Sequence, residues 1–219
     1  SLDKLYAINL RPDSSMIFVF DRPRGLERSQ KPSQAFKFNE TANYWDLTVV
    51  NHGIVVSKGG TNGGVEIYDE LVISRDSTIS SRAASKILTV ANSNNIRGMS
   101  VDTVNNMMAL TDYVVSGDSY EGRILIFDDY NAISQATGTI KPTRIIEGVN
   151  TKLKQPVDVE LDFRKDSKYL YVADQNAKAV YRFLKTDDGD QEPNATFEYQ
   201  QSGVGTTFTP GGISLDARN

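Results

Sequence analysis

The chain has no cysteine, one histidine and one tryptophan in 219 residues. The missing cysteines exclude disulfides, thiolate nucleophiles and cysteine-held zinc. With His52 alone, a three-histidine zinc site cannot form within one copy of the chain, and a Ser-His-Asp triad has a single awkward option. His52 stands in Asn51-His52-Gly53, where Asn and Gly between apolar runs are turn chemistry. No apolar stretch approaches a membrane span and no signal-peptide pattern is recognisable, so the start at Ser1 fits a mature secreted protein or a trimmed chain. There is no run of Lys or Arg, and the net charge is -4; both argue against nucleic acid or anionic membrane as the main partner. Long amphipathic helices are missing too, the nearest candidate being residues 74–86, which lack a large apolar face.

What is present is a set of short runs, rich in Val, Ile, Tyr and Phe, separated by Gly, Asn, Asp and Pro. That is an all-β pattern. The runs recur in sets. DLTVV begins at Asp46, GMSVD at Gly98, DVELD at Asp158 and GISLD at Gly212, spacings of 52, 60 and 54 residues. Each of the first three is followed by a second strand (Gly53 to Lys58, Met107 to Asp112, Tyr169 to Asp174) and a third (Gly64 to Asp69, Arg123 to Asp128, Ala179 to Leu184). A fourth follows (Ser85 to Val90, Thr143 to Gly148, Ala195 to Gln200). Four strands in roughly fifty residues is the pattern of a β-propeller blade.

The N-terminal runs Lys4 to Asn9, Met16 to Asp21 and Gln34 to Asn39 read as second, third and fourth strands with no first. The last residues, Leu215 to Asn219, open like Leu161 to Asp174, and joining the termini restores the same register. The expectation is a single domain, residues 1–219, of four blades: 211–219 with 1–39, then 44–90, 96–148 and 156–200. The ring would close by pairing N- and C-terminal strands in the shared blade, which removes two exposed sheet edges. The alternative is a fragment of a larger propeller.

The stretch from Ile124 to Phe183 contains ILIFDD, PTRIIEG, QPVDVELD and YLYVAD. It resembles the NHL-type and related bacterial propeller repeats, whose pattern is an I-L-V-F strand, a P-x-R-x-I-x-G strand, a Pro-led approach to Asp, and an L-Y-V-A-D strand. Met107 to Asp112 keeps the closing Asp of that pattern, whereas Gly53 to Lys58 has lost it. The resemblance implies a propeller of stacked sheets packed on both faces. Apolar pairs such as Val159/Leu161 and Met99/Val101 are expected between sheets, with Thr48, Ser100, Glu160 and Ser214 on the opposite side of their strands.

Three familiar motifs are incomplete. Gly117-Asp118-Ser119 lacks a strand-elbow-helix context. Lys58 to Gly64 is glycine-rich without the GK[ST] ending of a phosphate cradle. Asp187, Asp188, Asp190 and Glu192 lack calcium-loop order and read as a solvated loop. Asn39-Glu40-Thr41 and Asn194-Ala195-Thr196 match glycosylation sequons.

Two constellations carry more. In a four-bladed ring Asp46 and Asp158 face each other across the axis with Gly98 and Gly212 between, and converging carboxylates call for a cation or a proton. The architecture is similar to haemopexin-type propellers, whose channel holds ions, which implies an axial Ca2+ or other divalent ion at Asp46 and Asp158. Around the same entrance Tyr44, Trp45 and Arg97 have the composition of a binding hot spot. The expected function is a non-catalytic binding or scaffolding propeller, extracellular, periplasmic or at the cell surface, presenting one face to a protein or glycan. The alternative is a metal-dependent lactonase of the gluconolactonase kind with its site at the channel mouth, Asn43 and Asn95 lying in loops nearby.

Overall fold

Alternating apolar residues punctuated by Asn and Gly become strands and reversals in a computed structural model that describes residues 4–10, 15–25, 29, 31–38, 42–51, 53–69, 79–198 and 209–216. His52 and the triplet at 39–41 lie outside the described residues. In chain order the strands are β1 (Lys4–Asn9), β2 (Met16–Asp21), β3 (Gln34–Phe38), β4 (Tyr44–Val50), β5 (Gly53–Lys58), β6 (Gly64–Tyr68), β7 (Ile79–Arg82), β8 (Lys86–Val90) and β9 (Met99–Asp102). They continue as β10 (Met107–Ser116), β11 (Ser119–Phe127), β12 (Gly138–Ile140), β13 (Arg144–Glu147), β14 (Pro156–Leu161), β15 (Tyr169–Asp174), β16 (Ala179–Leu184) and β17 (Ala195–Phe197). One helix, α1 (Tyr130–Gln135), is capped by the Asp129 side chain, which accepts from the Ala132 N–H.

The strands form four sheets, in the orders β1-β2-β3-β7, β4-β5-β6-β8-β12, β9-β10-β11-β13 and β14-β15-β16-β17. Within each sheet the sequence-consecutive strands run antiparallel, as meanders, and the β5–β6, β9–β10, β10–β11 and β15–β16 connections are short reversals. Asn51, Asn62 and Asn106 adopt positive φ at or beside such reversals, which Asn tolerates better than most residues. The protein is all-β, and its four sheets are compatible with a propeller.

Alternation sends successive side chains to opposite faces, and in the second and third sheets both faces are buried. Ile54, Val56 and Tyr68 of the second sheet pack with Ile17, Val19, Phe36 and Phe38 of the first. Their neighbours Val55, Val65 and Ile67 pack with Met99, Met108, Leu110 and Phe127 of the third. Ala109, Ile124 and Ile126 of the third turn the other way onto Val159, Leu161, Val172 and Phe183 of the fourth. The sheets therefore stack in chain order. Burying each such Val, Leu, Ile or Phe contributes about 1.5–3 kcal/mol, spread over three inter-sheet layers. Val49 departs from the expected alternation, standing 52% exposed.

Sequence patterning did not reveal the outer strands. β7 belongs by sequence to the second sheet but pairs in parallel with β3 of the first. Likewise β12, from the connection between β11 and β13, pairs in parallel with β8 of the second sheet. The connection between β16 and β17 repeats the arrangement in miniature, with Gly189 bridging Ile146 of the third sheet. The acidic loop is thus a tether, not merely a solvated turn. Asp188 accepts from the Ile145 N–H at 3.0 Å, and Asp190 from the Asn150 N–H at 2.7 Å.

One expectation is corrected. Residues 212–216 form no strand, and no ladder joins them to β1 among the described residues. Their amides are engaged elsewhere: the Ile213 N–H donates to Asp158 Oδ2 at 2.7 Å, and Leu215 donates to the Glu160 carboxylate. The segment lies along β14 of the fourth sheet.

Candidate functional site

The meanders bring several connections to a common end of the sheets. Tyr44 pairs with Lys58 at the start of β4, so the β5–β6 turn and the approach to β4 are neighbours. Gly59 binds them: its N–H donates to Asn43 O at 2.8 Å, and a Cβ added there would fall 2.7 Å from Ile96 O. Next to it Gly60 adopts φ +88°, a conformation glycine takes without penalty. Three loops meet at this point and leave a cleft of about 360 Å³, lined by Asn43, Tyr44, Trp45, Gly60, Asn95 and Arg97 among others.

Arg97 is fixed from its backbone outward. Its N–H donates to Thr111 O at 3.1 Å and its carbonyl accepts from Ser57 Oγ at 2.5 Å. The guanidinium stacks over the Trp45 ring, 3.8 Å from the centroid, and lies 5.4 Å from the Tyr113 centroid. Nη2 donates to the Tyr113 hydroxyl at 2.7 Å. Such cation–π contacts hold a guanidinium in place without neutralising it. Half-buried, Arg97 has no carboxylate partner among the described residues. Arg123, Arg144 and Arg164, in contrast, each pair with an aspartate.

Tyr44 plays a different part from its neighbours. It is buried, stacks on Phe38 at 4.0 Å and donates to Glu66 Oε2 at 3.0 Å. Tyr68 donates to the same oxygen at 2.7 Å, and burial together with Glu66 pushes its hydroxyl well above the usual tyrosine range. Glu66 Oε1 makes no hydrogen bond, but Lys58 Nζ lies 3.1 Å away and compensates its charge. Tyr44 thus forms the back wall of the cleft, braced by a buried network. Trp45 and Arg97, both half-buried, line the cleft beside it.

Asp46 and Asp158 are also brought together. Asp46, Asp158 and Glu160 line a second cavity of about 280 Å³ with Thr48, Ser100 and Phe163. Each aspartate is engaged by backbone. Asp46 accepts from the N–H groups of Leu47 (2.7 Å) and Met99 (2.9 Å), and Asp158 from Val159 (2.9 Å) and Ile213 (2.7 Å). Each therefore ties its own first strand to the residue just after the equivalent position of the next repeat. Gly98 is required between them, because a Cβ there would fall 2.3 Å from Asp158 Cα. Burial raises the Asp46 carboxyl above its ordinary value against those hydrogen bonds. Burial, with the charges of Asp46 and Glu160, lifts Asp158 to about 7. Glu160 is raised by burial too, although Ser100 Oγ donates to it at 3.1 Å. Among the described residues no three His, Asp or Glu side chains are grouped so as to hold a metal ion.

Sequence reasoning missed Tyr113 and the role of the closing aspartates. Asp112, fully buried, accepts from the N–H groups of Asn94 (3.1 Å) and Asn95 (2.5 Å). Asp174 accepts in the same way from Lys154 (2.7 Å) and Gln155 (3.0 Å). These carboxylates clamp the loops leading into β9 and β14. The signal was the LTD triplet within β10 and the VAD ending of β15, and the lysine that stands in the aspartate's place at the end of β5.

No family model matches the chain, and a search of curated proteins finds no significant relative.

Proposed function

We propose that the four sheets are blades of a propeller and that the chain is a non-catalytic binding module, with the Trp45–Arg97 cleft as its ligand seat for a protein or glycan partner. The stacking of sheets in chain order supports the propeller reading. So do the contacts between first strands, Asp46 with Met99, Gly98 with Asp158, and Asp158 with Ile213. The NHL-type likeness of residues 124–183 agrees with this.

One observation carries the functional reading. A half-buried guanidinium is held against Trp45 and Tyr113 in a concave cleft, with no carboxylate partner among the described residues. Trp, Tyr and Arg concentrate binding energy where they are pre-positioned and desolvated, and a rigidly held side chain loses little entropy on binding. The test is an array of glycans and peptides probed with the protein and with Trp45→Ala, both checked for an unchanged melting transition. Signals lost in the variant support the reading; signals retained contradict it.

A second reading is favoured by the Asp158 carboxyl at about 7 beside Asp46 and Glu160, since a titrating carboxyl in a cavity is a candidate acid–base group. In that reading the axial cavity is a lactonase-like site, with Asp46 and Asp158 holding a divalent ion. Lactone hydrolysis that is abolished by Asp158→Asn and unaffected by Trp45→Ala would select it.

A further inference from the structure

The internal repeat identifies the ligand chemistry of the cleft, given the binding reading above. In the third and fourth sheets the second strand carries Asp112 or Asp174, and that carboxylate receives two consecutive backbone N–H groups. Those amides belong to residues 94 and 95, or 154 and 155, four and three positions before Gly98 and Asp158. In the second sheet the equivalent amides, four and three positions before Asp46, are those of Ala42 and Asn43. The residue in the aspartate's position is Lys58, paired with Tyr44 as Asp174 is with Pro156. Its ammonium turns to the buried Glu66. The N–H groups of Ala42 and Asn43 consequently have no acceptor among the described residues, and both residues line the cleft beside Arg97.

We propose that the cleft binds a carboxylate carried by the ligand, which takes in the second sheet the place that Asp112 and Asp174 occupy in the third and fourth. Its oxygens accept from the Ala42 and Asn43 amides, and Arg97 balances the charge. Hydrogen bonds to an ionised acceptor are roughly twice as strong as neutral ones, and a guanidinium stacked on aromatic rings is pre-organised for them. The remaining surroundings select a hydroxylated carrier, a uronic acid at the end of a saccharide. The Asn43 and Asn95 amides and the open Gly60 backbone offer polar partners for hydroxyl groups, while the Trp45 ring supplies an apolar edge. A concave cleft of about 360 Å³ suits a small ligand unit, not a flat protein epitope. The acidic protein and the nearby Asp46, Asp158 and Glu160 disfavour a densely charged polyanion.

Trp45 is the only tryptophan, so its fluorescence reports on this cleft alone. The experiment titrates the full chain with a disaccharide ending in glucuronate, with its methyl ester, and with a short peptide ending in a free carboxylate. The expected result is a saturable change with the acid, weaker by roughly tenfold or more for the ester and for the protein variant Arg97→Gln. The double variant Lys58→Asp/Glu66→Gln supplies the missing carboxylate from within. It is expected to retain a cooperative melting transition and to lose acid binding. Equal binding of acid and ester overturns the carboxylate assignment while leaving the cleft as the seat. Preference for the peptide overturns the saccharide assignment. Silence of Trp45 toward all three, with array binding that survives Trp45→Ala, overturns the cleft itself.

Discussion

Asp158 shows how a single residue trades stability for placement. Its folded value is raised to about 7, by burial first and by Asp46 and Glu160 next. The folded state therefore holds a proton that the unfolded chain releases near pH 4. Stability from this group is fully present below that value and declines as pH rises toward about 7. Melting temperature is expected to fall between pH 5 and pH 8, and Asp158→Asn should flatten that slope even though it disturbs the hydrogen bond from Ile213. A slope identical in the variant would contradict the assignment. Lys185 is the opposite case. Its buried ammonium bonds Asp102 Oδ2 at 3.2 Å, Asp162 O at 2.6 Å and Ser167 Oγ at 2.8 Å. Lys185→Ala leaves a buried carboxylate without its cation and should cost about 3–5 kcal/mol in denaturant unfolding; a loss below about 1 kcal/mol would show that the pair does not join the third and fourth sheets.

At the scale of elements, the parallel outer strands interlock neighbouring sheets. Ile140 of β12 is 6% exposed and belongs to the core layer between the second and third sheets. Ile140→Ala should destabilise by about 2–5 kcal/mol, measured by urea unfolding, whereas the same change at the exposed Val149 should be near neutral. Gly98→Ala drives a methyl into the backbone of β14, 2.3 Å from Asp158 Cα, and should cost about 1–3 kcal/mol through overpacking. The antiparallel strands were legible because period-2 alternation and Asn or Gly reversals are local signals. The interlocking strands were not, because Gly138-Thr139-Ile140 is too short to alternate and its partner Val90 lies far away in sequence. The register of residues 212–216 misled for a related reason: the pattern of a first strand is present, but Asp158 and Glu160 engage its amides.

For the whole molecule, the stacking order and the convergence of Trp45, Arg97, Asp46 and Asp158 near the strand starts were readable from repeat spacing alone, because equivalent positions in stacked repeats fall together. What spacing could not disclose was the division of labour there. Tyr44 is a buried brace and Arg97 is held between rings. Three carboxylates gather at a separate cavity. That division separates the binding reading from the hydrolytic one, and a map of backbone amide chemical shifts on adding the glucuronate disaccharide distinguishes them directly. The account predicts perturbations concentrated at residues 42–45, 58–60, 95–97 and 113. Perturbations centred on Asp46, Asp158 and Glu160, or on the opposite strand ends around residues 103–106, would contradict it.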